Sequence, residues 1–375
     1  MAESHLKIAV KRIRRDGLAV AGFCVICVFA LIAVLDMVPL PRRGVSGVKW
    51  NLTVLDAVFK KAPEKSYSPP LAKKGILNRK EFTLTSRHLI GTDNLGEDVL
   101  YNALKGVRTA FIIGIVPSLI AGIFAIILGL LAGYYGGWID DVIQYIYQVL
   151  SSIPGILLLI AMLMVMERGL WQLCVALGVT SWVGLCRLIR GETLKVKNME
   201  YVEAARALGA SDFRLLFRHI LPNVMYLVII EMTLDFSALV MSETVLTYIG
   251  VGVEPGTGSW GRMIMMADRE LANAIWWNLT AASAFLFVLV LAFNLFADAL
   301  RDALDPRLRG DLCLTMDYPT RRKPCWRLKT CGRTFSPAKD LPGRWMGSLS
   351  LWGRRERSGL WGSPGAEKLS RPFPY

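Results

Sequence analysis

The sequence predicts an all-α polytopic membrane protein with six transmembrane helices. Three observations carry that expectation. Hydrophobic residues make up 53% of the 375-residue chain, and its mean hydropathy is +0.41. Six stretches approach the ~20 apolar residues that a helix needs to cross hydrocarbon. Lys and Arg are distributed unequally among the segments between those stretches, as in a chain that alternates between two sides of a bilayer.

The first stretch is Gly17–Leu35, preceded by Lys7, Lys11, Arg12, Arg14 and Arg15. It is long, and Asp36 to Arg43 offer no small-x-small cleavage site, so an uncleaved anchor is expected. The second stretch covers 109–133 and carries Gly114, Gly122, Gly129 and Gly133 at spacings of eight, seven and four. Such a row lets backbones approach closely and marks a face packed on another helix. The third, 143–166, is interrupted at Ser151-Ser152-Ile153-Pro154, where proline removes an amide donor and bends a helix. The fourth is 170–188, the fifth 224–250 and the sixth about 277–300.

Orientation follows from the short loops. Five basic residues precede the first span, and 187–222 holds seven. By contrast, 167–169 holds only Arg168, and 251–275 only Arg262 and Arg269. Both termini and the 187–222 loop are therefore expected in the cytoplasm. The 36–108 loop has 13 basic residues, but it exceeds the ~60 residues over which the rule operates. Its Pro63 and Ser68-Pro69-Pro70 suggest irregular surface structure.

Residues 200–223 read EYVEAARALGASDFRLLFRHILPN, two short helices joined by a turn. Asn198 suits the cap of the first, and Gly209 suits the left-handed position that ends it. Ser211 suits the cap of the second, with Asp212 in its first turn and Arg218 and His219 near its end, and Pro222 stops it before the fifth span. Phe213, Leu216, Phe217 and Ile220 recur at helical spacing, an apolar stripe. An amphipathic connector lying on the membrane would explain stripe and charge. It leaves unexplained the small patch Ala204, Ala205 and Ala207 beside a glycine turn. A docking knob, around which a partner's groove closes, explains both.

Glu203-Ala204-Ala205, three residues, Gly209 and then Leu221-Pro222 resembles the EAA loop of binding-protein-dependent ABC importer permeases. His219 stands where an aliphatic residue is general, and His-Ile-Leu-Pro-Asn is the form of the peptide-importer branch. His88-Leu89-Ile90-Gly91-Thr92-Asp93 with Gly96 and Asp98-Val99-Leu100 is similar to the segment before the second span of dipeptide and oligopeptide permeases, with Glu97 in place of the more usual arginine. Gly133-Tyr134-Tyr135-Gly136-Gly137, Ile153-Pro154, Gly250-Val251-Gly252, Ser259-Trp260-Gly261 and Arg301 to Arg307 also match. The resemblance covers about residues 8–310.

It implies the type I (MetI-like) permease architecture, divided into 1–108 (anchor and external loop), a 109–310 core of five spans, and a 311–375 tail. It implies a subunit of an importer in the bacterial inner membrane, carrying dipeptides or oligopeptides by alternating access, with nickel or another small solute as the alternative. A second permease subunit, expected as a heterodimer, two ATP-binding subunits and an external solute-binding protein are the implied partners, beside lipid. ATP and magnesium belong to the ATP-binding subunits, and no cofactor is expected on this chain. Glu203, Ala204, Ala205, Arg206, Gly209, Asp212, Leu221 and Pro222 are the implied coupling residues.

The fifth span carries Glu231, Asp235 and Glu243. Charges at the bilayer centre rarely face lipid, costing about 2.5 kcal/mol or more each. Glu231 and Asp235 share a helix face, either lining a translocation path or bonding to a partner permease. Glu243, near the outer end, reads as structural support. No catalytic or metal site is expected: His5, His88 and His219 are far apart, and Cys24 and Cys27 sit in an apolar run without a second pair at zinc spacing. An intramembrane enzyme or channel would need a dyad or filter that the spans do not show.

Residues 311–375 carry 13 Lys/Arg against 5 Asp/Glu and four tryptophans without periodicity. A basic tail of this kind suits lipid or nucleic acid. Its codons favour another origin. Read one base earlier, from the third base of the preceding glycine codon, Arg344 to Leu351 permit AVDGVSFSL. In the same frame Ser358–Tyr375 permits GLVGESGSGKTVTALSL, which holds a phosphate-binding GxxxxGK[ST] loop. The expectation is a frameshift into an adjacent ATPase gene and a disordered tail that binds no nucleic acid; the nucleotide sequence decides it.

Overall fold

The computed structural model describes residues 13–14, 16–43, 49–60, 64, 67–72, 74–77, 80–83 and 88–304. The basic residues up to Arg12, Arg15, Pro63 and everything from Asp305 onward, including the expected tail, lie outside that description. Five described helices are long and apolar enough to cross a membrane, and one bent pair could form a sixth span.

Helix α1 (Gly17–Met37) starts where the Asp16 carboxylate accepts the Leu18 amide at 3.0 Å. It is apolar all round, the pattern of a helix with no aqueous face. It packs on the last helix, with Phe23 and Phe296 ring centroids 5.5 Å apart. The following loop is more regular than its prolines suggest. Strands β1 (Pro39–Arg43) and β2 (Lys49–Thr53) pair antiparallel, as do β3 (Lys74–Leu77) and β4 (Lys80–Thr83). Between the hairpins, α2 (Val54–Phe59) opens on a capping box in which Thr53 and Asp56 each bond the other's amide. That reciprocal bond satisfies two otherwise orphaned donors.

Helix α3 (Val99–Tyr135) begins ten residues before the expected span, so the boundary expected at 108/109 falls inside it. Its most extensive interface is with α6 (Leu170–Val196). The glycine row is the reason. A Cβ on Gly129 would lie 2.8 Å from Ile189, and one on Gly133 2.6 Å from Thr193. The expected third span is two helices, α4 (Gly137–Ser152) and α5 (Gly155–Val165), meeting at 90°. Ile153, held extended ahead of Pro154 at φ −94° and ψ 131°, makes the corner.

The chain continues through α7 (Glu200–Ala207), α8 (Asp212–Arg214), a π-helical turn (Leu215–Ile220) and α9 (Leu221–Ile249). A short helix, α10 (Trp260–Leu271), and the long α11 (Trp277–Leu304) complete the described chain. Glu243, 2% exposed, fastens α9 to α10: it accepts from Thr247 Oγ1 at 2.8 Å and Ser259 Oγ at 2.6 Å. Ser259 in turn caps α10 by accepting the Gly261 amide. The structural role expected of Glu243 is the one these bonds describe.

A candidate coupling loop and a pair of intramembrane acids

The loop between α6 and α9 is built much as its sequence suggests, with informative departures. Gly209 takes φ +80°, and the amides of Leu208, Gly209 and Ala210 close on the Ala204, Arg206 and Ala205 carbonyls. Only glycine adopts that backbone without steric cost. The caps differ from expectation. Met199, not Asn198, stands at the start of α7, and Ser211 holds the cap position of α8 without a side-chain bond. Asn198 misses because its own amide is still folded back on the Lys195 carbonyl, extending the end of α6.

Pro222 does not stop the second helix. It sits in the first turn of α9, where its missing amide costs little. The chain passes through because the π-helical turn widens by one residue, the Leu221 amide bonding the Leu216 carbonyl. The apolar stripe also splits. Leu215, Leu216 and Ile220 are buried with Val202 in the bundle core. Phe213 and Phe217 stay 70% and 50% exposed and pack on one another, centroids 4.4 Å apart.

Of the expected coupling residues, Glu203, Ala204, Arg206, Gly209, Asp212 and Pro222 are exposed. Ala205 and Leu221 are half-buried against the core. The outward small face is thus Ala204 and Ala207, with Ala205 fitted inward. Tyr134, at the end of α3, gathers the loop. Its hydroxyl donates to Asp212 Oδ1 at 2.6 Å, and the Arg206 guanidinium lies 5.8 Å from its ring centroid. Lys197 Nζ donates to the Gly133 carbonyl at 2.9 Å, adding a cation to the C-terminal end of α3. Asn223 spans Tyr201 Oη at 3.0 Å and the His219 carbonyl at 2.6 Å.

Sequence reasoning missed Tyr134, Lys197 and Asn223 as members of this site. The Gly133-Tyr134-Tyr135-Gly136-Gly137 run was a signal that something besides a span ends there. Glu231 and Asp235 are both half-buried, one turn apart on α9, and neither makes a hydrogen bond or ion pair among the described residues.

Bundle and projecting loop together are those of a multi-pass membrane permease. The family model described as "Binding-protein-dependent transport system inner membrane component" matches residues 125–310. The dipeptide transport system permease protein DppC of Bacillus subtilis is 34% identical over 306 residues, 82% of this chain and 87% of that protein. The oligopeptide transport system permease protein OppC of the same organism is 36% identical, over 59% of this chain and 72% of that protein. The glutathione transport system permease protein GsiD of Pectobacterium atrosepticum is 39% identical, over 60% and 75%. Among solved structures, the inward-facing MetNI methionine ABC transporter aligns with 55% of this chain and 97% of that one, at 20% identity and a TM-score of 0.46. The chain belongs to the binding-protein-dependent transport system inner membrane component family. It is a transport subunit rather than an enzyme.

Proposed function

We propose that this chain is the permease subunit of an ATP-driven importer of short peptides and that its 200–223 loop is where an ATP-hydrolysing partner seats. The observation that carries the second part is the loop's division of labour. Val202, Ala205, Leu215 and Ile220 root it in the bundle core, while Ala204, Ala207, Phe213 and Phe217 are left outward. A connector lying on the membrane would account for the outward aromatics, but not for the small Ala204 and Ala207 face beside them, which a closing groove on a partner requires. Peptides are favoured by the relatives, a dipeptide, an oligopeptide and a glutathione permease.

In this reading both termini and the loop face the cytoplasm, following the distribution of Lys and Arg. A second permease completes the pathway, two ATP-binding subunits hold ATP and magnesium, and an external solute-binding protein delivers substrate. Closure of the ATP-binding subunits moves the two loops, and the spans rock between outward and inward access. Glu231 and Asp235, half-buried on α9 and without a hydrogen bond or ion pair among the described residues, line the pathway at the permease interface.

Ala204→Trp tests the loop directly. The side chain is exposed, so the substitution leaves the bundle packing intact and obstructs only a partner. The assembled transporter is expected to insert normally and to lose transport. Wild-type transport by Ala204→Trp would overturn the docking role.

A further inference from the structure

Beside the outer end of α3 lies a cavity of about 640 Å³, lined in large part by α1, α3 and α10. It is separate from Glu231 and Asp235, neither of which lines it. Its walls carry the cations Lys60, Lys105, Arg108 and Arg262 and the anions Asp36, Asp93 and Glu97. Most are committed. Lys105 Nζ is 2.6 Å from Asp36 Oδ1 and 2.8 Å from Asp56 Oδ1. Asp93 accepts the Leu95 and Glu97 amides, each at 2.9 Å, and Asn102 Nδ2 at 3.2 Å.

Besides the exposed Lys60, three groups remain open among the described residues. Arg262, half-buried on α10, makes no hydrogen bond or ion pair among them. The one ion pair described for Arg108 is with Asp36 Oδ2, 3.8 Å away. Asp36 is 1% exposed, and its Oδ2 has no hydrogen-bond partner among the described residues. A buried carboxylate oxygen left unbonded is costly, whereas Arg108, 44% exposed, and Arg262, half-buried, are donors that a solute can reach. The planar donors of arginine match a carboxylate bidentately, which lysine cannot do.

We propose that this cavity binds a zwitterion with a free carboxylate, the carboxylate on Arg262 and Arg108 and the ammonium toward Asp36 Oδ2. This rests on the peptide-importer reading for the choice of a short peptide and for placing the cavity on the outer face. There it holds the solute before it enters the pathway. The open donors are two guanidinium groups and the open acceptor a single oxygen, so the carboxylate is the end the site selects.

The test is binding of labelled Ala-Ala to the assembled transporter in nanodiscs without its solute-binding protein, followed by equilibrium dialysis. Saturable binding is expected, weakened at least tenfold by C-terminal amidation and by Arg262→Gln, with partial recovery in Arg262→Lys. No saturable binding, or binding indifferent to both amidation and Arg262→Gln, overturns the proposal. Amidation requires no variant to fold. Uptake of Ala-Ala by the same transporter with its solute-binding protein is scored separately. Absent uptake refutes the peptide reading, whereas uptake without the binding signature refutes only the cavity.

Discussion

Tyr134→Phe separates the 200–223 loop from the end of α3 by one atom. The ring remains, so its contacts with Tyr135 and its position under the Arg206 guanidinium persist. What goes is the 2.6 Å bond to Asp212 Oδ1. A hydrogen bond to a charged group contributes about 1.5–3 kcal/mol. Asp212 is exposed, however, and water replaces part of the lost bond, so the low end of that range or below applies. A loss of about 1 kcal/mol corresponds to a roughly fivefold larger population of loop released from α3. Hydrogen exchange reads that population directly, because amides in the loop open through it. The amides closing α7, those of Leu208, Gly209 and Ala210, are expected to exchange about fivefold faster in the variant. Amides in the α3–α6 interface should not change. Equal exchange at 208–210 in the two proteins would refute the claim that Tyr134 holds the loop.

Two further outcomes follow from local chemistry. A Cβ on Gly209 would meet nothing within 4 Å, so Gly209→Ala costs backbone strain alone, about 1–2 kcal/mol. It should accelerate exchange across the turn, whereas Gly209→Asn, whose residue type tolerates the left-handed region, should do so less; equal effects would argue against strain as the cause. Beside the N-terminal end of α3, burial pushes the Asp56 carboxyl up, but Lys105, Tyr101 Oη and the Thr53 amide donate to it and hold it well below the usual carboxylate range. A depressed folded pKa stabilises the protein above the unfolded value of about 3.9, and that contribution fades as pH falls toward the folded value. Asp56→Asn should therefore lower the thermal midpoint in detergent at neutral pH, with the gap to wild type narrowing below about pH 4. A gap constant through acid would show that the charge is not the source.

The spans were legible because a bilayer imposes length and hydrophobicity on contiguous residues, and Gly209 because a left-handed turn demands a particular side chain. Pro154 was legible as a bend, although not as a right angle, since the angle is set by what α4 and α5 pack against. Pro222 misled for a related reason. A proline removes a donor whether it ends a helix or opens one, and only the π-helical turn before it decides between these. The phenylalanine stripe showed helical spacing, but the widened turn rotates Phe213 and Phe217 away from Leu216 and Ile220. Tyr134 and Asp212 lie 78 residues apart in sequence, and no periodicity connects such a pair. The outer cavity was invisible for the same reason, its open groups coming from α1, α3 and α10.

Helix α3 is the element that both ends of the protein share. Its 37 residues make a rod of about 55 Å, well beyond the ~30 Å of hydrocarbon. The N-terminal end is held by Asp98, which accepts the Leu100 amide at 3.0 Å and pairs with His88 Nδ1 at 2.9 Å. Two to three turns further on, Lys105 and Arg108 face the cavity. The C-terminal end carries Tyr134 and the loop. Near the loop, Gly129 and Gly133 bring α3 so close to Ile189 and Thr193 of α6 that not even a Cβ would fit between the helices. Close-packed interfaces of this kind shift as bodies rather than deform. Helix α10 is fastened to the same rod, because Trp260 Nε1 donates to the Ala103 carbonyl at 2.8 Å and packs where a Cβ on Gly106 would lie 2.6 Å away. A displacement of the loop therefore acts on α3, α6 and α10 together, and Arg108 and Arg262 move as one wall of the cavity.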